Sequence, residues 1–320
     1  MPLTFDMPYE ELVTYQGTNP RPADFDLFWD RSLQVMHSTN PKIELIPAEF
    51  QVDFADCYHM YFTGVGGARI YAKLLKPKSV DKPGPGLLMF HGYSMNSGDW
   101  FDKLTYVAAG FTVVAMDCRG QGGRSEDIGG VKGWTLHGHI VRGLDDRPEN
   151  LLYRSIFLDT AQLAKILMEM PEVDENRVGV TGGSQGGGLT IACAALEPRI
   201  KRVAPVYPFL SDYQRVWEID LAKDAYNELH DWFRRFDPLH LREHDIFTQL
   251  GYVDVQNLAP RIHNEVLMGI GLMDQICPPS TQFAAYNKIT APKSLMVYPD
   301  YAHEWIPGLN DKIFKFMLEL

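Results

Sequence analysis

Six short apolar runs constrain the fold of this chain more than any other feature: Leu87-Leu88-Met89-Phe90, Phe111-Thr112-Val113-Val114-Ala115-Met116, Val178-Gly179-Val180, Val203-Ala204-Pro205-Val206, Val266-Leu267-Met268-Gly269-Ile270 and Leu295-Met296-Val297-Tyr298. A strand wetted on one face alternates apolar with polar residues, whereas a strand covered on both faces reads as a near-continuous apolar run. Between the runs, Leu163, Ile166, Leu167 and Met170 fall at i, i+3, i+4 and i+7, which makes one buried helix face. Strand and helix alternating over roughly 200 residues predict an α/β fold, a mostly parallel sheet flanked by helices.

The flanking segments read differently. Residues 43–76 are β-rich and broken at Gly64-Val65-Gly66-Gly67, which predicts antiparallel strands. Residues 1–42 form an N-terminal extension, in which Asp24 is an expected N-cap and Phe25, Phe28, Trp29, Leu33 and Met36 follow at helical spacing. Residues 208–263 interrupt the strand rhythm with Trp217, Tyr226, Trp232, Phe233 and Phe236 among charges, and predict a helical insertion or cap over the strand ends. No repeat or linker divides the chain, so residues 1–320 are read as a single domain. A chain of this length buries about 75% of its unfolded surface without needing a disulfide or a metal.

Charge and composition exclude some classes of partner. A net charge of −11 is the wrong sign for a phosphate backbone, so no nucleic-acid partner is expected. The longest near-apolar run, 106–116, is interrupted by Gly110 and Thr112 and is too short to span a bilayer, so no membrane partner is expected either. Met1-Pro2-Leu3-Thr4-Phe5-Asp6 lacks a basic region followed by an apolar stretch. Four cysteines, Cys57, Cys118, Cys193 and Cys277, form no C-x-x-C pair. Reduced thiols in a cytoplasmic protein are the expectation.

The chemistry-bearing residues sit after the apolar runs. Gly182-Gly183-Ser184-Gln185-Gly186 lies between the run at 178–180 and the small-residue stretch 189–195. G-x-S-x-G alone recurs by chance as a glycine-rich turn, but between a buried strand and a helix it is the nucleophile-elbow pattern. Such a turn strains the serine, and a Cβ two residues to either side would strike strand or helix. A serine attacks only when a base takes its proton and a carboxylate orients that base. In α/β-hydrolases the chain order is Ser, acid, His. Asp274 follows the run at 266–270 and His303 the run at 295–298. Plainer readings make Asp274 a helix N-cap and His303 a surface histidine, and Asp300 is a rival acid. Asp274 is preferred because its strand precedes the histidine strand by a full β–α unit. His91-Gly92-Tyr93 follows the first run, so the backbone amides of Tyr93 and Gln185 are predicted to hold the oxyanion, each worth about 2.7–4 kcal/mol of barrier. His91 itself reads as a packing residue beneath that loop.

Other clusters carry less. Arg119-Gly120-Gln121-Gly122-Gly123-Arg124 matches no phosphate-loop pattern and reads as a loop held by a structural arginine. His137-Gly138-His139 has no carboxylate or thiol at ligand spacing, so no metal and no cofactor are expected. Cys118 and Cys277 lie near strand ends, neither has a histidine partner as well ordered as that of Ser184, and both read as buried small hydrophobes.

Arg119-Gly120-Gln121, Gly182-Gly183-Ser184-Gln185-Gly186 and His303-Glu304 together resemble carbohydrate esterase family 7, the acetyl xylan esterases also known as cephalosporin C deacetylases. Leu12-Val13-Thr14-Tyr15-Gln16-Gly17-Thr18-Asn19-Pro20, Asp24-Phe25-Asp26 and Trp29-Asp30 are similar to that family too, so the likeness runs from about residue 8 to the final strand. It implies an α/β-hydrolase fold and a serine esterase that deacetylates short acetylated xylo-oligosaccharides and cephalosporin C through an acyl-enzyme. It implies Ser184 as nucleophile, His303 as base, Asp274 as orienting acid, and Tyr93 and Gln185 as backbone oxyanion donors. It further implies a homo-oligomer, a hexamer whose sites face an internal cavity, with residues 122–150 at subunit contacts. A general carboxylesterase or peptidase of the same fold, or a non-catalytic binding protein on a hydrolase scaffold, are the alternatives.

Overall fold

All six apolar runs lie within or overlap strands in a computed structural model that describes residues 5–78, 82–129 and 139–320. The strands are β1 (Glu44–Pro47), β2 (Ala55–Thr63), β3 (Arg69–Pro77), β4 (Gly84–Phe90), β5 (Thr112–Met116), β6 (Val173–Gly183), β7 (Arg202–Val206), β8 (Glu265–Gly271) and β9 (Lys293–Tyr298). Among the described residues they form one sheet in the order β1-β2-β3-β5-β4-β6-β7-β8-β9. β1, β2 and β3 pair antiparallel, as residues 43–76 predict, and β3 meets β5 antiparallel. From β5 through β4 and β6 to β9 every pairing is parallel.

The pleat sorts the runs onto two cores. Leu87 pairs with Val113 and Leu88 with Val114. Leu87 and Val113 face one side with Phe111, Phe316 and Met317, whereas Leu88 and Val114 face the other with Val180 and Leu163. Both faces are therefore dry, which is why neither shows alternating polarity.

The helices are α1 (Tyr9–Leu12), α2 (Phe25–Ser38), α3 (Leu104–Ala108), α4 (Leu152–Met168), α5 (Gln185–Leu196), α6 (Tyr213–Glu218), α7 (Asn227–Phe236), α8 (Glu243–Leu250), α9 (Val255–Leu258), α10 (Pro279–Lys288) and α11 (Leu309–Leu318). α4 and α5 pack on each other and on β6, while α11 covers β7 and β8. α5 is buried along its whole length, which its run of glycines and alanines permits. α4 is buried on nearly every side rather than on one face, and Met170 lies beyond its end. Asp24 stands at the N-cap of α2, but its side chain does not cap. Its backbone is outside the β region that capping needs, and its carboxylate accepts from the Tyr252 hydroxyl instead.

Between β7 and β8 the chain makes α6 to α9. Tyr226, Trp232 and Phe233 of this stretch are buried, while Phe236 is exposed. The N-terminal residues are tied to it. Asp212 accepts from the Tyr15 hydroxyl at 2.8 Å and from the amides of Thr18 and Asn19 at 3.0 and 2.8 Å. Among the described residues no helix is long and apolar enough to cross a membrane.

Candidate active site

β6 ends at Gly183 and the chain turns into α5 at Ser184, whose φ is 58° and ψ −122°. A left-handed φ is costly for a residue with a Cβ, so surrounding contacts must hold it. The Ser184 amide donates to the Val206 carbonyl at 3.0 Å, and its carbonyl accepts from Gly188 and Phe209 at 3.1 and 3.0 Å. The flanking glycines are needed because backbone fills their side-chain space. A Cβ on Gly182 would lie 2.6 Å from the Gly186 carbonyl oxygen, and one on Gly186 would lie 2.1 Å from that of Phe90.

Asp274 and His303 leave adjacent parallel strands, β8 and β9, at the same end of the sheet as Ser184. Asp274 is fully buried. Its Oδ2 lies 2.8 Å from His303 Nδ1, and its Oδ1 accepts from the amides of Ile276 and Cys277 at 2.9 and 2.8 Å. The carboxylate thus serves both the imidazole and the turn that leads to α10. With Nδ1–H given to Asp274, Nε2 keeps the lone pair a base requires. Asp300 is exposed on a turn, so the rival acid does not hold this place. The Tyr207 ring packs 4.5 Å from the imidazole, centroid to centroid. Burial, and then the Asp274 charge, push its phenol above the ordinary range.

Cys277 is buried, as its sequence reading expects. A histidine does stand beside it: the Cys277 Sγ and ligand atoms of Asp274 and His303 all lie within 4.8 Å of one another.

The Gln185 side chain is fully buried and explains why two distant motifs occur together. Its amide pairs with that of Gln121 through Nε2–Oε1 contacts of 2.8 and 3.1 Å, and its Oε1 accepts from the Tyr153 hydroxyl at 2.7 Å. Gln121 Oε1 also accepts from the Ser94 amide at 3.0 Å. The loops after β4, β5 and β6 are thereby locked together. Gln185 is the first residue of α5, where an amide has no intrahelical acceptor. Tyr93 sits just past β4, its ring edge-on to His139 and Phe209 at 5.0 and 5.5 Å.

Arg119 grips Asp159 of α4 through Nε–Oδ2 at 2.5 Å and Nη2–Oδ1 at 2.8 Å, and Nη2 also donates to the Val65 carbonyl. Burial pushes the Asp159 carboxyl up against the pull of Arg119. His91 is a structural residue: Nε2 accepts from the Cys118 amide at 2.9 Å and Nδ1 contacts the Gly92 carbonyl at 2.7 Å. Burial pushes its imidazole down, toward the neutral form these contacts require. His137 and Gly138 lie outside the described residues, as do residues 130–138 of the stretch expected at subunit contacts. A separate cavity of about 660 Å³ is lined by Val65, Arg119, Ile128, Arg142, Leu152 and Trp232, and by none of Ser184, Asp274 or His303.

Sequence reasoning missed Asp159, Tyr207 and the thiol of Cys277 beside His303. Only Asp159 carried a signal, as the one acid of α4.

The acetyl xylan esterase family AXE1 matches residues 1–320. The chain belongs to the acetyl xylan esterase family. Acetyl xylan esterase 1 from a Thermoanaerobacterium species is 65% identical, with a TM-score of 0.97 over 98% of this chain and 99% of that one. The acetyl xylan esterase of Paenibacillus sp. R4 is 36% identical, with a TM-score of 0.92 over 97% and 99%. The acetyl esterase Axe7A of Xylanibacter ruminicola is 29% identical over 288 residues, which is 88% of this chain but only 63% of that protein. The α/β-hydrolase fold of this acetyl xylan esterase family member is the one its motifs predict.

Proposed function

We propose that this protein is a serine esterase that removes acetyl groups from acetylated xylo-oligosaccharides, with cephalosporin C as a second substrate. The observation that carries the reading is the 2.8 Å contact of His303 with buried Asp274 beside a serine on a strained elbow. The activities named for the relatives support acetyl as the acyl group. In this reading His303 Nε2 takes the Ser184 proton as Oγ attacks the acetyl carbonyl, and the amides of Tyr93 and Gln185 hold the oxyanion. The sugar hydroxyl departs with that proton. Water activated by His303 then releases acetate and restores Ser184.

The whole chain acts as one domain in this proposal, and α6 to α9 cap the strand ends. Phe209, at the start of that stretch, packs against both Tyr93 and Tyr226. A hexamer with inward-facing sites would admit short oligosaccharides and exclude the polymer. Acetate release from acetylated xylo-oligosaccharides, cephalosporin C and polymeric acetylxylan tests this directly. Release from the small substrates alone supports the reading. Hydrolysis of longer esters or peptides without acetate release overturns the substrate assignment.

A further inference from the structure

We infer that Cys277, His303 and Asp274 form a binding site for a soft divalent cation such as Zn²⁺, which blocks the catalytic centre when it is filled. The argument begins with geometry. One sulfur, one imidazole nitrogen and one carboxylate oxygen lie within 4.8 Å of one another. Tetrahedral zinc, with bonds of about 2.0–2.3 Å, places its ligand atoms roughly 3.3–3.8 Å apart, so the 2.8 Å Asp274–His303 pair opens slightly to admit the ion. The thiol and imidazole are ligands that zinc prefers, and calcium or magnesium do not.

Charge and surroundings fit as well. A thiolate and a carboxylate together neutralise one divalent ion, which suits a site where Cys277 and Asp274 are both fully buried. Gln282 adds an acceptor. Its Nε2 lies 3.4 Å from Asp274 Oδ2, while its Oε1 is buried with no hydrogen-bond partner among the described residues and is free to accept from a metal-bound water. The His303 side chain is 20% exposed, so the ion enters by the path the substrate uses. On binding, the Cys277 S–H bond breaks and its proton goes to solvent, the His303 Nδ1 proton moves to Nε2, and metal–sulfur and metal–nitrogen bonds form at Sγ and Nδ1, with no change of oxidation state. With Nε2 protonated, the imidazole has no lone pair left to take the Ser184 proton. This inhibitory consequence rests on the proposed triad, but the binding itself does not.

The test is titration of the full chain with Co²⁺ and Zn²⁺. Co²⁺ is expected to give a thiolate-to-metal charge-transfer band in the near ultraviolet, saturating at one ion per chain and displaced by Zn²⁺. Zn²⁺ is expected to suppress ester hydrolysis, with recovery on adding EDTA. Cys277→Ala keeps the backbone N–H that Asp274 accepts, so it should hydrolyse esters without metal, lack the band, and need at least about tenfold more Zn²⁺ for inhibition. Cys277→Ser serves the same purpose if the alanine variant does not fold. A wild-type protein without the band, or a variant inhibited as readily as wild type, overturns the site. Absence of esterase activity with the band present would instead overturn the hydrolase reading and leave the site standing.

Discussion

A Cβ at Gly186 would sit 2.1 Å from the Phe90 carbonyl oxygen, a backbone atom that cannot swing aside, whereas one at Gly183 meets the Tyr207 ring at 3.3 Å. Gly186→Ala is therefore expected to cost about 1–3 kcal/mol or more and to displace Ser184, while Gly183→Ala costs little. Urea unfolding with parallel kcat measurement checks both, and equal effects would contradict the crowding argument. Arg119 and Asp159 make a second contrast. Arg119→Ala leaves a buried carboxylate unpaired and is expected to cost about 3–5 kcal/mol in urea unfolding, with Arg119→Lys recovering only part of it because an ammonium cannot reproduce the two-pronged grip. Full recovery by lysine would contradict that view. Ser184, Asp274 and His303 were legible because each follows an apolar run by a few residues, in a fixed chain order. Cys277 beside His303 was not. Their closeness depends on two strands pairing in register, and no local pattern encodes it.

Glu228 of α7 shows how one element is fastened to another. Its carboxylate accepts from the amides of Ile140 and Val141 at 2.8 and 3.1 Å, next to His139, whose ring packs on Tyr93. Burial pushes this carboxyl up to about 8; the backbone amides pull it down and Asp231 adds a smaller upward push. A folded value above the ordinary one means the fold favours the protonated acid. The resulting stability is fully present below about pH 4.5 and is lost as pH rises through about 8. Wild type is expected to lose on the order of a few kcal/mol between about pH 5 and about pH 9 relative to Glu228→Gln, which keeps an acceptor for the two amides. Urea unfolding of both proteins at the two pH values checks it, and parallel pH curves would contradict it. The strands were the most legible elements, because burial on both faces writes itself as unbroken apolar runs. The boundaries of α6 to α9 were not, since aromatic side chains there pack on one another and follow no single periodicity. Asp24 failed as a cap for a reason no sequence shows: Tyr252, 228 positions away, takes its carboxylate.

At the scale of the molecule, the parallel half of the sheet brings three far-apart loops to one end. β6 delivers Ser184, β8 Asp274 and β9 His303. The Gln121–Gln185 pair then ties in the loop after β4 that carries Tyr93. The central claim is that Ser184 becomes acetylated during turnover. Rapid quenching during hydrolysis of an acetyl ester, followed by mass spectrometry of the peptides, tests it most directly. One acetyl group per chain on the peptide containing Ser184 is the predicted result. Ser184→Ala should show none, with kcat lowered roughly 10⁴–10⁶-fold and the fold intact. Continued acetate release by Ser184→Ala at near wild-type rate, with no adduct in either protein, would contradict the account.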